Sequence, residues 1–335
     1  MLKYIIKRLG ISLIVLLGVS IIIYTLVRMM PNDYLDLKFA SQIAQGSITQ
    51  EDLMEFKNLY GIGDNSFFGI VSGYFKWLGN LLRGDLGLSF KYEKPVADVI
   101  SENMWISFSI AIIATVLQFA IAIPLGITSA THQYSVRDYL VTVLTMIGIS
   151  LPTYFFAAIV IKVFAVDLGW FPVNGLVDAS ASYQDNFAGF MAKLLDMAHH
   201  LVLPIFVSVI LSLGGLMRYT RTNTLEVLSA DYIRTARAKG LNERTVIYKH
   251  AFRNTMIPLV TLLAGILPSL FGGMMITEEV FAIDGIGRMA YKALTEGDIP
   301  FIMGYNMFLA ILTVIGTLFS DIMYSVVDPR VKLGR

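Results

Sequence analysis

Cysteine is absent from all 335 residues, which removes disulfides, thiolate metal sites and a cysteine nucleophile together. Charge is scarce: 15% of residues are Asp, Glu, Lys or Arg, and a net charge of +1 gives no basic field that would favour nucleic acid. The Gly-x-x-x-x-Gly-Lys-Ser/Thr phosphate loop is missing, so the chain cannot hold a nucleotide by that device. His-Glu-x-x-His and Gly-x-Ser-x-Gly are missing too, and no carboxylate pair shares the face of an apolar stretch, which leaves an intramembrane enzyme without machinery. Internal repeats, low-complexity tracts and a separate soluble domain are also lacking. What abounds is apolar. At 56% hydrophobic and a mean hydropathy of +0.66, the chain is too apolar for a soluble domain of this length and reads as a membrane protein.

A transmembrane helix takes about 20 largely apolar residues. Six stretches qualify: Leu9 to Val27, Trp105 to Ala130, Tyr139 to Val166, Leu201 to Tyr219, Ile257 to Ile283 and Phe301 to Val327. The expected fold is all-α and polytopic. Lys3, Lys7 and Arg8 precede the first stretch as they would a signal peptide, but its length and the missing small-x-small site favour an uncleaved anchor. Three basic residues in the N-terminal tail, and eight against three acids from Arg218 to Arg253, place both segments in the cytoplasm by the positive-inside rule. Six spans then return the C-terminal tail, with Arg330, Lys332 and Arg335, to the same side. Residues 32–104, 167–200 and 284–300 fall outside. The implied organisation is an anchor over 1–30, an external segment over 31–104, and a core over 105–335 carrying a cytoplasmic loop at 218–257. Within the external segment Thr49, Asp52 and the apolar spacing of Leu53, Phe56, Leu59 and Tyr60 predict a capped helix.

The most informative stretch is Leu225 to Pro258, which is charged and lies between two spans. Ser229 or Asp231 is expected to cap a short helix, Gly240 to close it with a positive φ, and Asn242 to cap a second helix toward Arg253. Thr235, Ala236 and Ala238 are small enough for another protein to approach closely, with Arg234, Arg237 and Lys239 supplying charge. An ordinary positive-inside loop remains the plainer alternative on charge alone.

The residue order adds to this. Asp231-Tyr232-Ile233-Arg234-Thr235-Ala236-Arg237-Ala238-Lys239-Gly240-Leu241, followed by His250-Ala251-Phe252-Arg253-Asn254 and Ile257-Pro258, closely resembles the cytoplasmic coupling loop of binding-protein-dependent ABC importer permeases of the dipeptide/oligopeptide/nickel branch. The general signature has Glu-Ala-Ala six residues before its glycine; Arg234, Thr235 and Ala236 stand there, so only the second alanine and Gly240 match. Met1 to Pro31, Trp77 to Phe90 with Pro95-Val96, Ile123 to Gly126, Leu168 to Pro172, Val280-Phe281 through Gly285-Ile286-Gly287-Arg288, and Asp328-Pro329-Arg330 resemble the permease type with a long external segment. Asp284, Ser320 and the lack of prolines after Gly61 depart from the pattern.

The resemblance implies a type I ABC importer permease fold in a bacterial or archaeal cytoplasmic (inner) membrane, surrounded by lipid. It implies a hetero-dimer with a second permease subunit, two cytoplasmic ATPase subunits and an external solute-binding protein that delivers di- or oligopeptides. Nickel chelates and short oligosaccharides are the rival cargoes. No catalytic residue, metal or cofactor is assigned to this chain, because ATP and magnesium would be bound by the partner ATPases. The implied ATPase-coupling residues are Asp231, Tyr232, Arg234, Thr235, Ala236, Arg237, Ala238, Lys239, Gly240 and Leu241.

Other signals are weaker. Gly285-x-Gly287-x-x-Ala290 matches a dinucleotide fingerprint by letter but follows an apolar span, without βαβ context. His199 and His200 are adjacent, so they do not share a helix face as metal ligands; a helix start before Pro204 is the expectation. Lys162 and Asp321 are ionisable residues inside spans, each within about two turns of a span end, read either as solute contacts or as locally paired groups. Pro124, Pro152, Pro204 and Pro268 are expected to interrupt spans, and Gly214-Gly215 and Gly272-Gly273 to let helices approach closely. An ion-coupled secondary transporter would need midplane charges and two similar halves, and neither is evident.

Overall fold

A computed structural model describes residues 2–30, 34–59, 63 and 66–327. Its regular structure is helical apart from one isolated antiparallel bridge between Leu88 and Pro95. In chain order the helices are α1 (Leu2–Arg28), α2 (Tyr34–Ala44), α3 (Gln50–Leu59), α4 (Phe67–Leu81), α5 (Val96–Thr131), α6 (Val136–Ser150) and α7 (Thr153–Val160), which continues as a π-helical turn over Ile161–Asp167. There follow α8 (Phe187–Leu228), α9 (Asp231–Ala238), α10 (Glu243–Thr245) with a π-helical turn over Val246–Ala251, α11 (Phe252–Thr261), α12 (Leu263–Gly272), α13 (Met275–Val280), α14 (Ile286–Glu296) and α15 (Ile299–Val327). Asp328-Pro329-Arg330 and the basic C-terminal tail lie outside the described residues, as do Pro31 and Tyr60.

Among the described residues, four helices are long and apolar enough to cross a membrane: Ile6–Arg28, Val96–Thr131, Phe187–Leu228 and Ile299–Met323. Two expected spans differ from straight rods. Tyr139 to Val166 is bent by 108° between α6 and α7. Pro152 has no N–H to continue the helix, and Leu151 before it is pushed into the extended region at φ −85°, ψ 128°. Ile257 to Ile283 is divided among α11, α12 and α13. Its second break sits at Gly273, whose φ of +73° no helix continues, while the Tyr305 hydroxyl donates to the Gly272 carbonyl. Pro124 and Pro204, expected as interruptions, lie inside continuous helices. Leu201 to Tyr219 is the middle of the 42-residue α8, so His199 and His200 sit well inside a helix that Asn186 caps.

α8 is the spine, packed along α5 and α6. Small residues let the backbones nearly touch, as close packing in lipid requires. A Cβ at Gly126 would lie 2.8 Å from the Thr220 Cβ, one at Gly148 would lie 2.8 Å from the Ile210 carbonyl oxygen, and one at Gly214 would lie 2.6 Å from that of Thr145. Gly215 differs from its neighbour, because a Cβ there meets nothing within 4 Å.

The three segments expected outside meet at one end of the bundle. Fully buried Asp298 accepts from the Ser89 hydroxyl (2.6 Å) and from the backbone N–H groups of Phe90, Lys91 and Phe301, which fastens the end of the 31–104 segment to the start of α15. Tyr34 N–H bonds to the Gly297 carbonyl, and Gly175 N–H to that of Phe281. Beside them Glu278, also fully buried, accepts from Ser107 (2.7 Å) and the N–H groups of Met274 and Arg288. A Cβ at Gly285 would stand 2.5 Å from this carboxylate, and one at Gly287 2.9 Å. The glycines of the apparent dinucleotide fingerprint thus make room for an internal carboxylate.

The span charges are paired within the chain. Lys162 Nζ lies 2.8 Å from Asp167. Arg8 Nε lies 2.8 Å from Asp321 Oδ2, an ion pair without hydrogen-bond alignment that joins the first turns of α1 to the last turns of α15. The histidines are occupied as well, His199 by the Trp170 carbonyl and His200 by Asp196. In the segment expected outside, Thr49 and Asp52 form the expected reciprocal cap, Thr49 N–H donating to Asp52 and Asp52 N–H to the Thr49 hydroxyl.

Candidate functional site

At the other end of the bundle, α8 runs directly into the segment that the sequence singles out. The chain turns at Ser229 and Ala230, and α9 sets out from Asp231. The cap differs from expectation. Ala230 occupies the N-cap position with no side-chain bond, while the Ser229 hydroxyl turns back to the Glu226 carbonyl. Asp231 occupies the first turn, where its charge favours the positive end of the helix dipole.

The C-terminus of α9 is as expected. Gly240 has φ +75°, its N–H bonds to the Arg237 carbonyl (2.9 Å), and Leu241 N–H bonds to that of Ala236 (3.4 Å). These paired bonds form a Schellman motif, which needs a left-handed residue where Gly240 stands. Asn242 then caps α10 by accepting from Arg244 N–H at 3.0 Å. Arg237 bridges the turn with a two-pronged pair to Glu243, Nε to Oε2 at 3.1 Å and Nη2 to Oε1 at 2.6 Å. The pairing holds the Glu243 carboxyl below its ordinary range and raises the Arg237 guanidinium further.

Beneath the turn is a small core of its own. Ile233, Ala236, Val246 and Ala251 are buried together, with Val227 and Leu228 of α8 packed against them. Ala236 therefore faces inward, and of the three small residues expected on the contact face only Thr235 and Ala238 are exposed. Tyr232, Arg234, Lys239 and Leu241 are exposed with them, whereas Arg237 is engaged with Glu243. The outcome is a short helix with its buried stripe toward the membrane domain and a basic, partly apolar stripe facing away.

Two features of this site escape a reading of the sequence. Asp138, at the start of α6, is 5% exposed and accepts from Arg221 of α8 through Nε (3.0 Å) and Nη2 (3.1 Å), from Tyr134 N–H (3.0 Å) and from Ser129 of α5. One carboxylate thus clamps three helices where the loop leaves them. Arg221 contributes to the positive-inside count, but its partner lies 83 residues away, and the only local sign is an acid three residues after the capping Ser135. The second is a cavity of about 510 Å³ bounded by residues 130–133, the end of α8, Arg237, Glu243 and Ile247. The Arg237–Glu243 bridge borders it.

Residues 122–333 match the family described as binding-protein-dependent transport system inner membrane component. The chain is 36% identical over 333 residues to the oligopeptide transport system permease protein AppB of Bacillus subtilis (strain 168), covering 99% of this chain and 100% of that one. It is 31% identical over 341 residues to the dipeptide transport system permease protein DppB of Alkalihalophilus pseudofirmus, covering 99% and 100%. Among solved structures, an inward-facing form of the MetNI methionine ABC transporter shares the fold, with a TM-score of 0.51 at 17% identity over 69% of this chain and 96% of that one. A multi-pass membrane protein, the chain belongs to the family of binding-protein-dependent transport system inner membrane components.

Proposed function

We propose that the chain is one of two permease subunits of an ATP-driven importer of di- or oligopeptides, and that residues 231–241 dock a cytoplasmic ATPase. The observation that carries this reading is the exposed stripe Tyr232, Arg234, Thr235, Ala238, Lys239 and Leu241 along α9 and the turn that closes it, with the other side of the helix anchored by Ile233 and Ala236. Such a helix moves as a unit with α8. Force from a closing ATPase dimer passes through the buried stripe into α8, and through Arg221 and Asp138 into α5 and α6. That makes a rigid, two-state response to nucleotide possible without any nucleotide site in this chain. ATP and magnesium belong to the partner, and the peptide arrives from an external binding protein. This reading puts both termini and residues 218–257 in the cytoplasm. The Arg8–Asp321 pair supports the shared side of the termini. It also makes 1–30 an anchor, 31–104 an external cap and 105–335 the core.

The test is reconstitution in vesicles with the second permease and the binding protein, with and without the ATPases, while following uptake of a labelled peptide. ATP-dependent uptake is expected only with the ATPases present. Uptake at the same rate without the ATPases overturns the proposal.

A further inference from the structure

Midway along the spans, α5, α8 and α12 leave an open groove of about 370 Å³. Thr115, Gln118, Ser212, Gly215, Tyr219 and Ser269 contribute to its wall, and no wall residue carries a carboxylate, ammonium or guanidinium group. Gln118 lies near the middle of Trp105 to Ala130, and Ser269 near the middle of Ile257 to Ile283, so the groove is at bilayer depth. Gln118 donates one amide hydrogen to the Ser212 carbonyl at 2.9 Å. Among the described residues its amide oxygen, its second N–H and the Thr115 hydroxyl have no partner. Half-exposed polar groups left unpaired at this depth are costly against lipid tails, so such a surface belongs against water or solute. Gly215 adds a second, independent sign. Its neighbour Gly214 is pressed against α6, yet a side chain at Gly215 would enter open space in this groove.

We infer that this groove is part of the wall of the solute pathway, an uncharged, hydrogen-bonding strip suited to the amide groups of a peptide whatever its side-chain charge. The inference rests on the proposed peptide reading for its cargo but not for its placement. Neutral amide and hydroxyl groups exchange hydrogen bonds with a peptide backbone without fixing it, as passage requires, whereas a fixed charge would hold or repel one class of peptide.

Two measurements on the assembled transporter test it. This chain has no native cysteine, so Gly215→Cys gives it a single thiol, to be challenged with a small cationic methanethiosulfonate reagent and read on this subunit alone. Labelling is expected, since the position faces water. Failure to label, or a disulfide from this cysteine to one placed in the second permease, overturns the inference in favour of a lipid-facing or subunit-facing groove. Gly215→Trp should accumulate normally, because tryptophan is the better helix former and its Cβ meets nothing within 4 Å at the mouth of an open groove, yet lose peptide uptake at least about tenfold. Wild-type uptake by Gly215→Trp would also overturn the inference. Gln118→Glu then reads the chemistry, and an acidic peptide should slow roughly fivefold or more relative to a neutral one. Equal rates contradict the uncharged-strip argument. If Gly215→Cys labels but wild-type protein imports no peptide, the groove stands and the cargo assignment fails, so the two failures are separate.

Discussion

Replacing Gly240 with valine isolates the backbone of the docking loop from its side chains. At φ +75° an L-residue is strained by about 1–2 kcal/mol, and a β-branched one sits at the upper end. No clash adds to this, because a Cβ at Gly240 meets nothing within 4 Å. The chain can escape the strain only by opening the turn, which gives up the bonds to the Arg237 and Ala236 carbonyls at about 0.5–1.5 kcal/mol each. Either way the native turn loses roughly 1–3 kcal/mol, and about 1–2 kcal/mol lowers the ratio of native to opened turn by a factor of about 5–30. The spans are untouched, so Gly240→Val should insert and accumulate normally. Peptide uptake and co-purification of the ATPases should fall by about that factor. Asparagine, which tolerates the left-handed region, is the control, and Gly240→Asn should keep most of both activities. A valine variant that transports at the wild-type rate refutes the reasoning, and one that fails together with its asparagine control shows that bulk rather than backbone conformation matters here.

Asp138→Ala leaves the Arg221 guanidinium without its carboxylate. The expected cost is roughly 2–4 kcal/mol, below that of breaking a fully buried pair because Arg221 keeps 31% of its side chain exposed; a lowered melting temperature in detergent and weak coupling of ATP hydrolysis to uptake check it. Asp298→Ala strips partners from the Ser89 hydroxyl and the Phe90 N–H, both buried, for about 2–6 kcal/mol, and limited proteolysis should then release the external segment. The Arg237–Glu243 pair depresses the Glu243 carboxyl, so its contribution is present above the ordinary carboxylate range and is lost as pH falls through the lowered folded value. Docking measured between pH 8 and 5.5 should therefore show no step from this pair, and Glu243→Gln should weaken docking about twofold at every pH in that window, the modest effect of an exposed pair.

Local rules made much of this legible in advance. The Thr49–Asp52 cap, the left-handed Gly240 and the Asn242 cap each depend on residues within a few positions of one another, and each is found where the spacing predicts. The apolar runs locate the spans for the same reason. Where the outcome departs, a distant partner decides. Ala236 has the size of a contact residue, but the folding of α9 back against the end of α8 buries it with Val246 and Ala251. Lys162 and Asp321 look unpaired along the chain, and only the π-helical turn and the packing of α1 on α15 bring them their partners. The carboxylates that fasten the molecule, Asp138, Glu278 and Asp298, have partners up to 209 residues away and no signature beyond being acids at span ends. Straight spans failed at Pro152 and Gly273 because hydropathy counts apolar residues without regard to backbone direction.

The central claim is that the outward stripe of α9 touches an ATPase. Single cysteines at Thr235, Ala238 and Leu241, all exposed, can be oxidised against single cysteines scanned across the ATPase surface in the assembled transporter, with exposed Phe68→Cys as a control from the other end of the bundle. Disulfides to the ATPase from these three positions, changing in yield with nucleotide and absent from position 68, are the predicted result. Cross-links from position 68, or none from any of positions 235, 238 and 241 while the complex remains intact and active, would contradict the account.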